Sequence, residues 1–297
     1  MGALAKMPTF ETLEPISVTI AMVVGDLRIT ASDRRDTVVV VSPNDSSKES
    51  DVKAAEQTRV EYSDGRLLIK APRSWKHFTP FGGAESIDVA IELPAGSRVE
   101  GEGAVVDFRS DGRLGECRFT TGVGNIRLEE TGPLHVGTSA GSITVDRVGG
   151  RAEVTGSGAL RIGKIDGPAV IKNLNGVTWL GEVKGDLRCN AANGDITVER
   201  ALGAVAAKTA NGAVRIGEVV RGSIELGTSY GELEVGIREG TAALLDVRSQ
   251  FGSVRNSLTA SERPEPSDQT VEVRARTSFG DIVIRRSRRA TYVETGQ

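Results

Sequence analysis

Few residues in this chain have a type and spacing suited to chemistry. Among 297 residues there are two histidines, His77 and His135, and two cysteines, Cys117 and Cys189. Neither histidine has sequence neighbours that suggest metal ligation or acid–base work, and no nucleophile elbow, Walker loop or zinc spacing occurs. The string Gly122-Val-Gly124-Asn resembles a dinucleotide loop, but no helix follows to supply the amides that hold a pyrophosphate. The reading is therefore a non-enzyme with no catalytic residues, no cofactor and no metal. What remains for recognition is aromatic. Trp75, His77, Phe78 and Phe81 cluster in a chain whose aromatic content is 4%. Such a cluster suits a binding loop or a flap over exposed core.

The elements that position these residues follow from a recurring phrase, Gly-x-aliphatic-x-aliphatic. It runs Gly124-Asn-Ile-Arg-Leu, Gly141-Ser-Ile-Thr-Val, Gly158-Ala-Leu-Arg-Ile, then Gly176, Gly194, Gly212 and Gly231, at spacings of 17, 17, 18, 18, 18 and 19. Looser copies begin at Gly252 and Gly280. A second phrase follows about eight residues later, as in Gly132-Pro-Leu-His-Val and Gly185-Asp-Leu-Arg-Cys. A fixed period of this size marks a solenoid, whose units bury their apolar faces only by stacking. Period-two alternation makes each coil two short strands, with a third short side. The expected fold is all-β, a single-stranded parallel β-helix. It is taken as right-handed, from the general preference of parallel crossovers.

Stacking turns the alternation into columns. The first strand turns Ile126, Ile143, Leu160, Thr178, Ile196, Val214 and Leu233 inward, and the second turns Cys117, Leu134, Ala152, Ala169, Leu187, Val205 and Ile224 inward. A smaller column, Thr121, Thr138, Gly156, Asn173, Ala191, Thr209 and Thr228, falls at a corner. The cysteines lie four coils apart, roughly 19 Å, beyond the ~7 Å that a disulfide spans. They are core thiols, which fits a reducing compartment. The outward columns mix Arg, Thr, His and scattered carboxylates, with no acid–base pair of the kind that polysaccharide-cleaving enzymes use. Trp179 is the unusual outward residue. It is a candidate contact, with Arg161 placed to lie over it as a cation–π pair, or else the register slips and turns Val177 and Trp179 inward. Asn175, Asn193 and Asn211, each before a glycine, read chiefly as turn residues.

The ends are less regular. Gly25-Asp-Leu-Arg-Ile, Gly65-Arg-Leu-Leu-Ile and Ala104-Val-Val-Asp-Phe carry the phrase into the N-terminal part, where antiparallel pairs and a short helix within 42–59 are expected. The organisation read is a flexible segment at 1–9, one solenoid domain at 10–285 and a basic tail at 286–297. Within the domain, 10–103 holds irregular coils and a cap, 104–256 regular coils, and 257–285 a loop and terminal strand. Arg285, Arg286, Arg288 and Arg289 follow that strand, where charge discourages edge-to-edge growth. The net charge of −3 gives no reason to expect nucleic acid. No apolar run reaches membrane-helix length, and the first residues lack the pattern of a signal peptide. The expectation is a cytoplasmic protein without membrane insertion, a monomer or weak oligomer.

Val24-Gly-Asp-Leu-Arg-Ile, Ile91-Glu-Leu-Pro-Ala-Gly-Ser and the Ala-Asn-Gly-Asp-Ile-Thr-Val coil at 192–198 together resemble the bacterial putative-adhesin family of β-strand-repeat proteins, a domain of unknown function. The likeness covers roughly residues 10–285 and is nearest to the cytoplasmic actinobacterial type. It implies a β-solenoid and carries no catalytic residues. The function expected is a binding or scaffold module for an unknown protein or glycan partner, with Trp75, Phe78, Phe81, Trp179 and Arg161 as its contact surface. The alternatives are a self-assembling, bactofilin-like structural protein and, behind it, a carbohydrate-active enzyme.

Overall fold

The computed structural model describes residues 7–72, 85–258 and 269–287, and among them 26 strands and one helix. The chain is all-β and solenoid-like. It divides into two compact units, Met1–Asp166 and Gly167–Gln297.

In the first unit two parallel ladders run side by side. One stacks Arg66–Lys70, Ser17–Ala21, the start of Arg98–Arg113, Cys117–Val123, Leu134–Ala140 and Ala152–Gly156. The other stacks Ile87–Pro94, Val24–Ser32, the end of Arg98–Arg113, Ile126–Thr131, Ile143–Val148 and Leu160–Ile165. The inward columns lie where period-two alternation puts them: Ile126, Ile143 and Leu160 are at most 2% exposed. Burying each such side chain contributes about 1.5–3 kcal/mol. The expected third side also exists, marked by Thr131, Val148 and Ile165, all buried.

The N-terminal end closes with antiparallel strands, as expected. Asp36–Pro43 pairs with Ile87–Pro94, Thr9–Glu11 with Asp36–Pro43, and Arg59–Ser63 with Arg66–Lys70. The last hairpin turns on Asp64-Gly65, both at positive φ (50° and 72°), the conformation that a two-residue hairpin turn requires. The short helix is Glu49–Gln57, and it buries Asp51, Ala54 and Ala55. One register differs from the sequence reading. Val106, not Ala104, stands beside Gly124, because Phe108 pairs with Ile126. Ser110 therefore falls in the second aliphatic column, buried with no partner for its hydroxyl.

The second unit repeats the plan with one reversal. One ladder runs Ala169–Asn175, Leu187–Asn193, Val205–Asn211, Gly222–Tyr230, Thr270–Phe279 and Ala242–Phe251. The other runs Thr178–Val183, Ile196–Ala201, Val214–Val219, Leu233–Ile237, Ile282–Arg286 and Val254–Asn256. The coil that comes last in sequence is thus second to last in space. It lies between the coil at 222–237 and the coil at 242–256. This corrects the placing of the Asp281-Ile-Val-Ile strand at the open edge. Arg285 and Arg286 do not guard that edge either. Arg285 pairs with Glu234 at 2.6 Å, and Arg286 donates to the carbonyls of Arg238 and Thr241.

Candidate binding ridge

The glycine of each phrase marks a corner where successive coils nearly touch. A Cβ on Gly194 would sit 2.1 Å from the carbonyl oxygen of Gly176, and one on Gly231 would sit 1.9 Å from that of Gly212. Both glycines hold positive φ, +129° and +154°. No larger residue meets both conditions. The column of small residues beside the corner fills the narrow space and also donates to it. Thr138 bonds the carbonyl of Gly124 at 3.0 Å, Thr228 that of Gly212 at 2.9 Å, and Thr277 that of Gly231 at 3.1 Å. Ser249 does the same to Gly280 at 2.8 Å. The corner backbone is thereby closed, and the residue before each glycine projects outward.

In the second unit those projecting residues form one continuous ladder. By register it runs Asn175, Asn193, Asn211, Tyr230, Phe279, Phe251. The amides chain together, each donating from Nδ2 to the Oδ1 of the asparagine before it at 2.9 Å. The rings then continue the ladder as a stack. Tyr230 and Phe279 have centroids 4.9 Å apart and planes within 2°, and Phe279 and Phe251 are 4.8 Å apart and within 11°. These spacings equal the strand separation, so the sheet itself sets the stacking distance. The three rings remain 57%, 44% and 58% exposed. Phe279 meets a ring on each face, and Tyr230 and Phe251 on one face each; ring edges, the phenol hydroxyl and the amide groups border the solvent. Such a surface makes apolar and hydrogen-bonded contacts; the amides and phenyl rings hold no proton to transfer near neutral pH.

Charged groups border this ridge one position beyond the corner glycine. Asp281 accepts the backbone N–H of Ser253 at 2.8 Å and an Arg255 guanidinium hydrogen bond at 2.6 Å. These bonds, the backbone N–H foremost, hold its carboxyl down to about 2. Asp195 likewise accepts from the N–H of Ala213 at 2.8 Å. Arg215 reaches Asp195, Glu232 and Glu234.

The corresponding corner of the first unit is different. Val24, Val105 and Val123 stack before the corner instead of amides or rings. Being small, they leave an open groove of about 440 Å³, also lined by Asp26 and Asp107. Asp26 lies in register between Asp88 and Asp107. Partial desolvation, and then the charges of Asp88 and Asp107, push its carboxyl above the usual range. Asp88 takes a hydrogen bond from Asn44, and Asp107 takes the backbone N–H of Asn125. Among the described residues no three His, Cys, Asp or Glu side chains are grouped to hold a metal ion.

Trp75, Phe78 and Phe81, with His77, lie outside the described residues. Trp179 faces outward on Thr178–Val183, opposite Thr197, with its indole N–H on Glu199 at 3.1 Å. The slipped register is wrong: Thr178 is fully buried and Val177 is 54% exposed. Arg161 is exposed on Leu160–Ile165 of the first unit. His135 sits in register with Glu153, Nδ1 to Oε2 3.4 Å, both exposed. Cys117 and Cys189 are free and buried, and desolvation pushes each thiol up to about 12. Sequence reasoning missed Tyr230, Phe251 and Phe279. Their signal was present, since each immediately precedes a phrase glycine just as the three asparagines do.

Residues 16–294 match the family described as Toastrack DUF4097. The chain belongs to that family. Solved structures similar to this Toastrack chain include a putative adhesin from Parabacteroides merdae, at 11% identity and a TM-score of 0.42, with 95% of each chain covered. A putative cell adhesion protein from Clostridium sporogenes shares 13% identity at a TM-score of 0.26, covering 95% of this chain and 100% of that one. A putative lipid binding protein from Parabacteroides distasonis shares 12% identity at a TM-score of 0.30, covering 93% and 96%. No curated protein matches the chain. No helix among the described residues is long and apolar enough to cross a membrane.

Proposed function

We propose that this Toastrack protein is a non-enzymatic binding module that presents the corner ridge of its second unit to a protein partner. The observation that carries the reading is the exposed stack of Tyr230, Phe279 and Phe251 on a backbone locked by corner glycines. A rigid scaffold orders those side chains before any partner arrives, so binding costs little further entropy. Exposed aromatic groups on a fixed frame are the usual anchors of protein contacts. Glycan recognition by ring stacking needs open ring faces; Phe279 turns both of its faces toward neighbouring rings, and Tyr230 and Phe251 turn one each. The two free, buried thiols support action in a reducing compartment, the cytoplasm, where the module would serve as a scaffold rather than in surface adhesion.

The test is site-specific photocrosslinking in the native host. A photoreactive residue at Tyr230 should yield a defined protein adduct, and one at the exposed Arg127 of the first unit should not. Equal yields from both sites, or adducts to glycan alone, would sink the reading.

A further inference from the structure

The coil at the far end of the second unit has an unusual edge. Among the described residues, Ala242–Phe251 pairs with one strand only, Thr270–Phe279. The N–H of Ala242 bonds the carbonyl of Gln269. Backbone groups alternate sides along a strand, so the even-numbered residues face that neighbour. Ala243, Leu245, Val247 and Ser249 then turn their N–H and C=O groups to the open side. The same odd-numbered residues continue the inward column. Their partners Val271, Val273 and Ala275 are at most 1% exposed, whereas Ala243, Leu245 and Val247 are only half-buried. Leu244 is 69% exposed and Val254 44%. Edge strands are ordinarily blunted by lysine, proline or a bulge. This one, AALLDVRSQF, has neither lysine nor proline, and its charges are Asp246 and Arg248 alone.

We propose that this edge docks a second copy of the same chain, by antiparallel pairing about a two-fold axis at Val247. Opposed residues of an antiparallel pair share a face, so inward residues must meet inward residues. That leaves registers centred on single residues. Centring on Asp246 sets carboxylate against carboxylate, and centring on Arg248 sets guanidinium against guanidinium. Centring on Leu245 or Ser249 opposes no charge to its opposite. Only the register at Val247 places Asp246 of each copy across from Arg248 of the other, twice by symmetry. In that register Val247 exchanges both backbone hydrogen bonds with its counterpart. The charged pairs fall at the non-hydrogen-bonded positions, where side chains approach closest. Asp246 already takes a hydrogen bond from Arg276 of its own chain at 3.2 Å, and its exposed carboxylate can accept from both guanidinium groups. An isologous contact of this kind consumes the open edge of each copy and closes as a dimer, not a filament. Its charge pairing uses none of the ring contacts of the ridge, although Phe251 ends the same strand.

Sedimentation of the full-length chain across a dilution series tests the dimer. Wild type should be dimeric at micromolar concentration. Asp246→Arg and Arg248→Asp should each weaken dimerisation about tenfold or more, since two attractive pairs become repulsive. The double variant Asp246→Arg/Arg248→Asp should restore it. Mixing the two single variants should produce a heterodimer, because each then opposes the other's charge. Circular dichroism and melting temperature of each variant separate lost pairing from lost folding. A wild-type chain monomeric throughout, concentration-dependent filaments, or single variants that dimerise as wild type does would each overturn the proposal.

Discussion

Asp26 and Asp281 occupy the same place in the same phrase, Gly25-Asp-Leu-Arg-Ile and Gly280-Asp-Ile-Val-Ile, yet their electrostatics are opposite. Asp281 caps the backbone N–H of Ser253 in the neighbouring coil and holds Arg255, and its carboxyl is pulled down to about 2. Asp26 has carboxylates in register on both sides, Asp88 and Asp107, and its carboxyl is pushed up. The corners around them differ in the same way. Three valines leave a groove in the first unit, while three rings build a ridge in the second. A phrase position sets which way a side chain points. What it meets is set by the coil alongside.

If both units share one backbone corner, glycine substitution must hurt both. Gly141→Ala in the first unit and Gly231→Ala in the second should each cost roughly 3 kcal/mol or more, by adding an overpacked Cβ to a positive-φ penalty. Gly240→Ala, at φ +78° but with no atom within 4 Å of the added carbon, should cost only about 1–2 kcal/mol. Thermal melting decides; a silent Gly141→Ala would mean that the first unit's corner is not equivalent.

Side chains at the corner should distinguish the units next. Phe279 stacks on two rings and Phe251 on one. Phe279→Ala should therefore lose about 1–2 kcal/mol, near twice the loss for Phe251→Ala. Val123→Ala, at an exposed aliphatic corner with no ring contact, should stay within about 0.5 kcal/mol. Equal losses at 251 and 279 in denaturant titrations would show that the stack adds nothing.

The smallest effects are those of pH, and they run in opposite directions. Asp26 binds its proton more tightly folded than unfolded, so its contribution to stability falls as pH rises from below 3.8 through its raised folded value. Asp26→Asn should accordingly be more stable than wild type at neutral pH, and the gap should close in acid. Asp281 binds its proton less tightly when folded. Its contribution is present above 3.8 and is lost as pH falls toward about 2. Asp281→Asn should be less stable at neutral pH and converge with wild type near pH 2. Melting curves for both variants that ran parallel to wild type across this range would remove the contrast.

Much of the scaffold was legible beforehand. The inward columns from Ile126 to Leu233 follow from alternation, and the corner threonines from their small size. The hydroxyl bonds to glycine carbonyls were not legible, because they join residues about 14 to 46 positions apart by a fold-specific approach. Val106 was misplaced by two residues because Ser110 breaks the aliphatic pattern that the reading relied on. The ridge was half legible. Tyr230, Phe251 and Phe279 can be found as residues before phrase glycines, but their spatial order, 230–279–251, departs from chain order.

Sequence alone determined the period, the two strands of each coil, which residues face in, and that a glycine must recur at one corner. Those are local properties, dictated by backbone sterics and by alternation along a single strand. Tertiary structure decided which coil lies beside which: the insertion of 270–286 between 222–237 and 242–256, the meeting of three rings, and the opposite surroundings of Asp26 and Asp281. Hydrogen-bond ladders between parallel strands form with equal ease between any compatible neighbours, so a period specifies what each coil is without specifying its place in the stack.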